Sequence, residues 1–445
     1  ELAGFFDAAL NGEESVIDGI PLKSVLEWGK KWAARREEVA ALLTAEEWRQ
    51  AEASSLNAFY TSPDVSLRMW DIVKNLGFQG GKVLEPACGC GRIVSAMPPE
   101  YRDKCRIEAV ELDPFSARIS AKLLPEAKVH AADFREAPVA PNSCDLVITN
   151  VPFGSETVGD SGMNLHNWYI AECMTKLKPG GLAVIITTQH TMDSSADQRE
   201  KLVQAVEFLD AFRLPNTAFD SEGTQVTTDI LVLRKPSLAL AKTGETWMHT
   251  TPIDIAPEQR PDAPKEEEGK EVEVASTAFV NEFYQRHPER VIGQHSLRGK
   301  LYGGVKDPAI GQYTVEPVGD LSAALAVQVA SVKAVENSSA PAQAMTDEEI
   351  ENTRIAALRA EKTGSLVLRD GTLYVVSASR DLVEWSSRPF VTDKDGAPDE
   401  AASAKFAEKN EPMARAYVEL RGALIEQLAV DSSPESDEVK SATTR

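Results

Sequence analysis

The box Asn150-Val151-Pro152-Phe153 directly follows the apolar run 145–149 and combines residue types suited to one kind of chemistry. The side-chain oxygen of Asn150 and the carbonyl oxygen of Val151 can accept the two N–H bonds of a planar amine while its nitrogen moves toward sp³ geometry to take a methyl group. The Phe153 ring can stack on an extruded base, as enzymes acting on one nucleobase of a duplex require. No acid, metal or covalent nucleophile is needed, because positioning and electrostatics carry the rate.

A glycine-rich turn, 85–91, follows the short apolar strand predicted at 82–84. Gly89 and Gly91 let the backbone approach a ligand closely, and nucleotide-like ligands bind at the carboxyl ends of strands in open α/β sheets. The spacing is not the G-x-G-x-x-G of dinucleotide enzymes, so the turn by itself is equally typical of a structural connection.

Two more predicted strands end in acids. Glu111 stands 20 residues after Gly91 and precedes Leu112, and an acid so placed typically bonds a ribose diol. A third strand, 127–130, leads to Asp133 and Phe134, an acid and a ring suited to the edge and face of adenine. The three strand ends therefore predict a cofactor that contains adenosine.

This order of motifs resembles the S-adenosylmethionine-dependent N6-adenine DNA methyltransferases, in which a Tyr-Thr-Pro segment, a glycine loop and an Asn-Pro-Pro-aromatic box follow one another. Position 151 departs from that box, but valine supplies the same carbonyl, and a residue before proline is held extended. The resemblance implies S-adenosylmethionine as the cofactor and DNA with a flipped adenine as the substrate. The cofactor site that it implies, together with the strand ends above, comprises Tyr60, Thr61, Pro63, Glu85, Ala87, Gly89, Gly91, Glu111, Leu112, Asp133 and Phe134.

A closer resemblance covers roughly residues 45–236. The strings 56–63, 150–154, 213–216 and 226–230 are similar to the methylase region of large methyltransferase–helicase proteins of phages and conjugative elements, some of them antirestriction factors. The sequence has no G-x-x-x-x-G-K-[ST] phosphate loop, so any helicase is expected to be a separate partner. The strings 213–216 and 224–229 either contact nucleic acid or fix a hairpin.

Composition predicts a soluble protein of the reducing cytosol. The 445 residues suffice for two or three cores, and the longest apolar runs fall far short of the roughly 20 residues of a membrane helix. Five cysteines do not make a disulfide framework, and Cys88 and Cys90 lack a second pair for zinc, so no metal is expected. The start resembles no signal peptide, and the missing initiator Met suggests numbering from within a longer reading frame or after processing.

Net charge is unusual for a DNA enzyme. The total is −22, of which residues 51–235 contribute −6 and residues 236–445 contribute −12. Phosphate contacts need Lys and Arg, and no long basic stripe is present. We therefore expect a partner protein to supply part of the affinity for DNA.

Alternating predicted strands and helices indicate an α/β fold, a Rossmann-like methyltransferase with a mostly parallel, doubly wound sheet, N-terminal helices and a smaller α+β C-terminal region. Prolines and clustered charge mark linkers that cannot form a core. The predicted segments are an N-terminal helical segment 1–50, a methyltransferase domain 51–236, a linker 237–275, a docking or recognition segment 276–330, a second linker 331–348, an α+β region 349–430 and a disordered tail 431–445.

Two features leave alternatives open. The loop 154–167 is either a mobile lid or a plain surface loop, and His166 and Trp168 face DNA or pack against the following helix.

The expected function is methyl transfer to the N6 amine of adenine in DNA within a mobile-element modification or antirestriction system. The alternatives are RNA adenine, protein glutamine, or a non-catalytic assembly factor that docks a helicase.

Overall fold

The computed structural model describes the catalytic region almost completely and the two ends of the chain in part. The described residues are 16–17, 20–21, 48–49, 61–154, 156–194, 196–220, 225–238, 240, 243–261, 274–299, 311–340, 366–369, 372–377, 382–387 and 399–430. Tyr60 and the predicted tail 431–445 lie outside them. Within the predicted N-terminal helical segment, Val16–Ile17 pairs antiparallel with Ile20–Pro21, so at least these residues form a strand pair rather than a helix.

A seven-stranded sheet forms the centre of the fold. Its strands are β1 Gly81–Glu85, β2 Cys105–Glu111, β3 Ala127–Ala131, β4 Cys144–Asn150, β5 Leu177–Thr188, β6 Glu207–Leu214 and β7 Thr228–Arg234. The spatial order is β3-β2-β1-β4-β5-β7-β6, and β7 runs antiparallel to its neighbours β5 and β6. The direction of strand addition reverses between β1 and β4, where an open sheet forms a ligand crevice at its carboxyl edge. The predicted fold class is confirmed.

Helix α1, Pro63–Asn75, leads into the first strand. It begins after Ser62, whose side chain accepts a hydrogen bond from the Val65 N–H, and proline at the first helical position is preorganised for the helix. The remaining helices are α2 Arg92–Ser95, α3 Pro99–Arg102, α4 Pro114–Leu123, α5 Leu165–Lys176, α6 His190–Asp193, α7 Ala196–Ala205, α8 Glu282–Arg286, α9 Leu321–Val329 and α10 Glu400–Val430. None of the helices in the described ranges has the length and apolar character needed to cross a bilayer.

The sheet separates two core layers. Ile148 of β4 belongs to one layer together with Met69 of α1 and Val329 of α9, and we call this side the α1 face. Its neighbour Val147 belongs to the other layer with Ile170 of α5, and we call that side the α5 face. Because successive side chains of a strand point to opposite faces, the face of any polar side chain at the sheet edge follows from its position along the strand.

Residues beyond 236 are integral to this domain. Trp247, Phe283 and Val315 are buried in the α5-face layer, and Leu325 is buried in the α1-face layer. Two small antiparallel pairs carry the segment, β8 Thr250–Asp254 with β9 Thr277–Asn281 and β10 Gln294–Ser296 with β11 Thr314–Glu316. The expected boundary at 236 is corrected, because large apolar side chains beyond it complete both cores of the sheet.

The two expected linkers are corrected on the same grounds. Residues 243–261 of the first linker contribute β8 and the buried Trp247. In the second, the Val335 N–H donates to Leu76 O at 3.2 Å and the Ser338 N–H donates to Gly180 O at 3.0 Å. The domain therefore extends to about residue 340.

A buried arginine connects the added segment to the sheet. Arg213 of β6 donates through Nε and Nη2 to both carboxylate oxygens of Asp229 on β7, at 2.8 Å each, and through Nη1 to Asp193 at 2.6 Å. The Tyr284 hydroxyl donates to Asp229 at 2.8 Å, and the Tyr313 hydroxyl accepts from Arg213 at 3.2 Å. For Arg213 and Asp229 the structure supports the hairpin role of their strings, since both side chains are fully buried in this ion cluster.

A separate α+β unit lies in the predicted region 349–430. Strands β12 Leu366–Arg369, β13 Thr372–Val376 and β14 Leu382–Glu384 form an antiparallel sheet. Its small core includes Val375 of β13, Trp385 and Ala407 of α10. These residues belong to neither core layer of the seven-stranded sheet.

The corrected boundary predicts how shortened chains behave. A chain ending at residue 340 should unfold cooperatively and bind S-adenosylmethionine. A chain ending at Lys235 should not fold, because it lacks the buried side chains that complete both cores. Thermal unfolding followed by circular dichroism, with calorimetry of cofactor binding, tests this. Cooperative unfolding and normal binding by the shorter chain would restore the boundary at 236.

The ion cluster predicts a large stability loss on replacing Arg213. Arg213→Ala leaves Asp193 and Asp229 buried without their cation, and we expect the free energy of unfolding to fall by about 3–5 kcal/mol. Arg298→Ala is the matched control, since its pair with Glu316 is partly exposed and should contribute about 0–1 kcal/mol. Urea unfolding measures both, and equal losses would contradict a central role for Arg213.

Candidate active site

Three predicted site residues share one edge and one face of the sheet. Glu85, Glu111 and Asn150 end β1, β2 and β4. Each stands an even number of residues from a member of the α1-face core on its own strand, so all three side chains lie on the α1 face. The fold therefore places the predicted cofactor acids and the predicted amine acceptor at the crevice beside the switch point.

Asn150 is bonded to the segment that precedes α1. Its Nδ2 donates to Thr61 Oγ1 at 3.2 Å, and the side chain is 8% exposed. The Val151 N–H donates to Ile186 O of β5 at 3.1 Å, which holds the box against the sheet. With the amide nitrogen directed at Thr61, the amide oxygen is the atom that Asn150 can offer to an amine. Sequence reasoning placed Thr61 near the cofactor and missed this bond.

The end of the box is held by His166 of α5. The His166 Nδ1–H donates to Gly154 O at 3.0 Å, and burial lowers the pKa of the imidazole to about 4, so the ring is neutral at physiological pH. Phe153 is half-buried and packs against both core layers. Of the two readings of His166, the structure supports packing.

The loop after the box is tied at its far end. Thr157 pairs with Asn164, and the Asn164 N–H donates to Gln198 Oε1 at 3.0 Å. Asn167 of α5 donates to the same oxygen at 2.8 Å. Residues 156–164 thus form a closed turn that is bonded to α7. Whether it moves when substrate binds stays a prediction.

The glycine turn and Glu111 support each other. Gly89 and Gly91 have φ values of 51° and 80°, which favour glycine, and a Cβ on Gly91 would lie 2.7 Å from Leu124 Cδ1. The Gly89 N–H donates to Glu111 Oε2 at 2.7 Å, and the Asp113 N–H donates to Oε1 at 2.8 Å. Each carboxylate oxygen has a second lone pair, so Glu111 can accept these two N–H bonds and also bind a diol.

Glu85 gives the turn a buried acid. Its side chain is 1% exposed, and its Oε2 has no hydrogen-bond partner among the described residues. Burial raises the pKa of Glu85 well above its usual value, the Val94 N–H lowers it, and the charge of Glu111 raises it further. A positively charged ligand would stabilise the ionised form of both acids, and S-adenosylmethionine carries such charges on its sulfonium and ammonium groups. The residues therefore fit this cofactor, with Ala87 and Gly89 in the turn between the acids.

At the adenine end of the predicted site, the burial of the side chains differs from what the sequence predicted. Phe134 is 1% exposed and stacks on Tyr169 of α5, with 5.5 Å between ring centroids, so its ring is part of the core. Leu112, by contrast, is 66% exposed, so its apolar side chain is accessible to a ligand. The Asp133 carboxylate accepts from the backbone N–H of Arg135 at 2.9 Å and remains at the edge of the site. Tyr169 carried no sequence signal, because its proximity to Phe134 depends on the packing of α5.

Comparison with known proteins identifies the kind of domain that carries these residues. Residues 84–185 match the family model of a methyltransferase domain. The matched range includes the glycine turn, Glu111, Asp133 and Asn150. The match confirms the predicted methyltransferase fold and S-adenosylmethionine as the cofactor.

Two relatives share part of the chain. The chain is 31% identical to Defense against restriction protein B of Escherichia phage P1 over 202 residues, 42% of this chain and 9% of that protein. It is 23% identical over 147 residues to an rRNA N6-adenosine-methyltransferase of Caenorhabditis elegans, covering 31% of this chain and 66% of that protein. The chain thus spans less than a tenth of the phage relative and about two thirds of the nematode one.

A solved structure shows the same kind of partial similarity. It is a modification subunit of a putative type I restriction enzyme from Vibrio vulnificus, 17% identical, with a TM-score of 0.35. The alignment covers 69% of this chain and 66% of that one.

The position of Glu111 beside the glycine turn predicts that replacing it weakens cofactor binding. Glu111→Ala should weaken S-adenosylmethionine binding roughly ten- to hundredfold, because losing a charged hydrogen-bond partner typically costs about 1.5–3 kcal/mol. Glu108→Gln on the same strand is the control, since Glu108 bonds His130 and Lys82 away from the crevice. Calorimetry well below the unfolding temperature compares the affinities, and equal values for Glu111→Ala and wild type would remove Glu111 from the site.

Proposed function

We propose that the protein transfers the methyl group of S-adenosylmethionine to the N6 amine of an adenine in DNA, within a mobile-element modification or antirestriction system. The observation that carries the proposal is the bond from Asn150 Nδ2 to Thr61, because it directs the amide oxygen to an amine on the α1 face where the cofactor acids lie. The phage relative supports the biological setting, since its name describes defence against restriction.

The residues of the box and their supports each position a part of the substrate. Asn150 Oδ1 and the Val151 carbonyl accept the two N–H bonds of the amine and favour sp³ geometry at its nitrogen. Phe153 stacks on the extruded base, and His166 keeps the box in place through Gly154. The cofactor, when bound, supplies the methyl group. Thr61 acts through Asn150 as a positioning residue.

RNA adenine is the second candidate. The nematode relative is named for N6 methylation of rRNA, and the same acceptors suit the N6 amine of an unpaired RNA base.

The acidic balance of the chain favours a partner, such as a helicase subunit, that brings nucleic acid to the site. All five cysteines are free thiols, which supports our proposal of a cytosolic location.

The mechanism predicts separate effects on transfer and on cofactor binding. Asn150→Ala should lower the transfer rate about 100-fold or more while sparing most of the affinity for S-adenosylmethionine, because the amide acts on the target amine. Asn281→Ala is the control, a buried asparagine whose amide bonds Met192 O and Trp247 O. It should lower stability and leave transfer per folded molecule unchanged.

The assay offers labelled cofactor with unmethylated DNA, RNA and protein in parallel. Transfer to DNA by the wild type and its loss in Asn150→Ala are the expected results. Unchanged turnover in Asn150→Ala would exclude the mechanism. Preferential transfer to RNA would favour the second candidate.

A further inference from the structure

Three buried oxygen atoms at the carboxyl edge of the sheet have no assigned role. They are Gln189 Oε1, Asn216 Oδ1 and Thr228 Oγ1, and within the described residues none of them has a hydrogen-bond partner. Buried polar atoms are almost always bonded, so each exception calls for a physical reason. Gln189 and Asn216 are partly exposed as residues, which places their oxygens just beneath the surface.

Backbone hydrogen bonds bring the three residues together from different strands. Gln189 follows β5, and its N–H donates to Thr227 O at 3.4 Å. Asn216 follows β6, and its carbonyl accepts from the Val226 N–H at 3.1 Å. Thr228 begins β7, where it lies opposite Thr188 of β5. The three residues thus stand at adjacent strand ends, and we refer to them as the cluster.

The cluster adjoins the box on the same side of the sheet. Thr228 alternates with Ile230 and Val232, which belong to the α1-face core, so its hydroxyl shares that face with Asn150. Asn150 lies opposite Ile186, two residues before Thr188. From strand spacing and rise, the Thr228 backbone is on the order of 12 Å from that of Asn150. A nucleotide next to the one held by Asn150 can span this distance.

Several neighbouring threonines are bonded, whereas Thr149 Oγ1 on the α5 face also lacks a partner among the described residues. Thr227 Oγ1 bonds Thr314 Oγ1 at 3.0 Å and accepts from the Val315 N–H at 3.0 Å. Thr187 Oγ1 bonds Thr191 Oγ1 at 2.9 Å on the α5 face. The cluster therefore leaves three unbonded oxygens beside bonded threonines, and these oxygens can accept a donor from outside.

We propose that Gln189, Asn216 and Thr228 form a subsite for the base next to the methylated one, and that they read a donor group on that base. Two amide oxygens and a hydroxyl recognise an exocyclic amine, and amide side chains are common partners of base edges. The inference rests on the proposed function and adds a specificity determinant to it. Binding of the base requires the side chains that cover these oxygens to move.

The test separates a structural role from a binding role because the two roles predict opposite changes in stability. Thr228→Val is isosteric and removes a buried, unbonded hydroxyl, so stability should be equal or higher. On synthetic duplexes with randomised bases beside a single adenine, the variant should lose about five- to tenfold in transfer rate and show a flattened preference at one flanking position. Affinity for S-adenosylmethionine should stay at the wild-type value.

The adjacent Thr227→Val is the matched control. It removes a bonded hydroxyl, so stability should fall while the flanking preference is retained. Asn216→Leu is a second subsite variant, expected to flatten the same preference even if Thr228→Val folds poorly. Sequencing of methylated products and thermal unfolding give the two readouts.

The outcomes are distinguishable. If the wild type transfers methyl groups and both subsite variants keep its rate and flanking preference, the oxygens hold water and the inference is overturned while the proposed function stands. A destabilised Thr228→Val with a normal preference also overturns it. If the wild type methylates no DNA or RNA, both proposals fall together.

Discussion

The ion cluster around the Arg213 guanidinium is the interaction that holds the ends of β6 and β7 in place. The guanidinium is fully buried between the carboxylates of Asp193 and Asp229, with the rings of Tyr284 and Tyr313 against it. A buried charge is tolerated when its hydrogen bonds are satisfied, so the contributing elements must keep their positions. Burial raises the pKa of Asp193 despite the nearby cation. The cluster connects β6, β7 and α6 to residues 281–316, and it thereby fixes the strand ends beyond Asn150.

The carboxyl edge of the sheet is divided by charge. The half formed by β1 to β3 carries the acids Glu85, Glu111 and Asp133, two of them with raised pKa values because of burial. On the α1 face, the other half presents neutral acceptors, beginning with Asn150, while the charges of Arg213 and Asp229 are buried on the α5 face. This division fits a cationic cofactor on one side and an uncharged amine on the other. For the proposed nucleic-acid substrate, a carboxylate in place of Asn150 would add a negative charge close to the phosphates and would raise the cost of bringing them there.

The side chains that support the box are neutral and largely buried. His166 donates one hydrogen bond to Gly154 without carrying charge, and Asn164 and Asn167 share Gln198. Such a network is costly to break in a low-dielectric interior, so it can hold the geometry of the box. Among the described residues, the small core around Trp385 is distinct from both core layers of the catalytic sheet.

The sequence by itself determined the order of strands and helices, the glycine turn, the acids at strand ends and the box, because these depend on local periodicity and on residue types at strand ends. It could not determine that Phe134 is buried under Tyr169 while Leu112 is exposed, since that choice depends on how α5 packs. Nor could it show that the domain extends to about residue 340, because the proline-rich composition after 236 conceals side chains that complete both cores. The bond between Asn150 and Thr61 joins residues 89 positions apart, and only the tertiary structure brings them together, because such contacts depend on the final packing of α1 against the sheet.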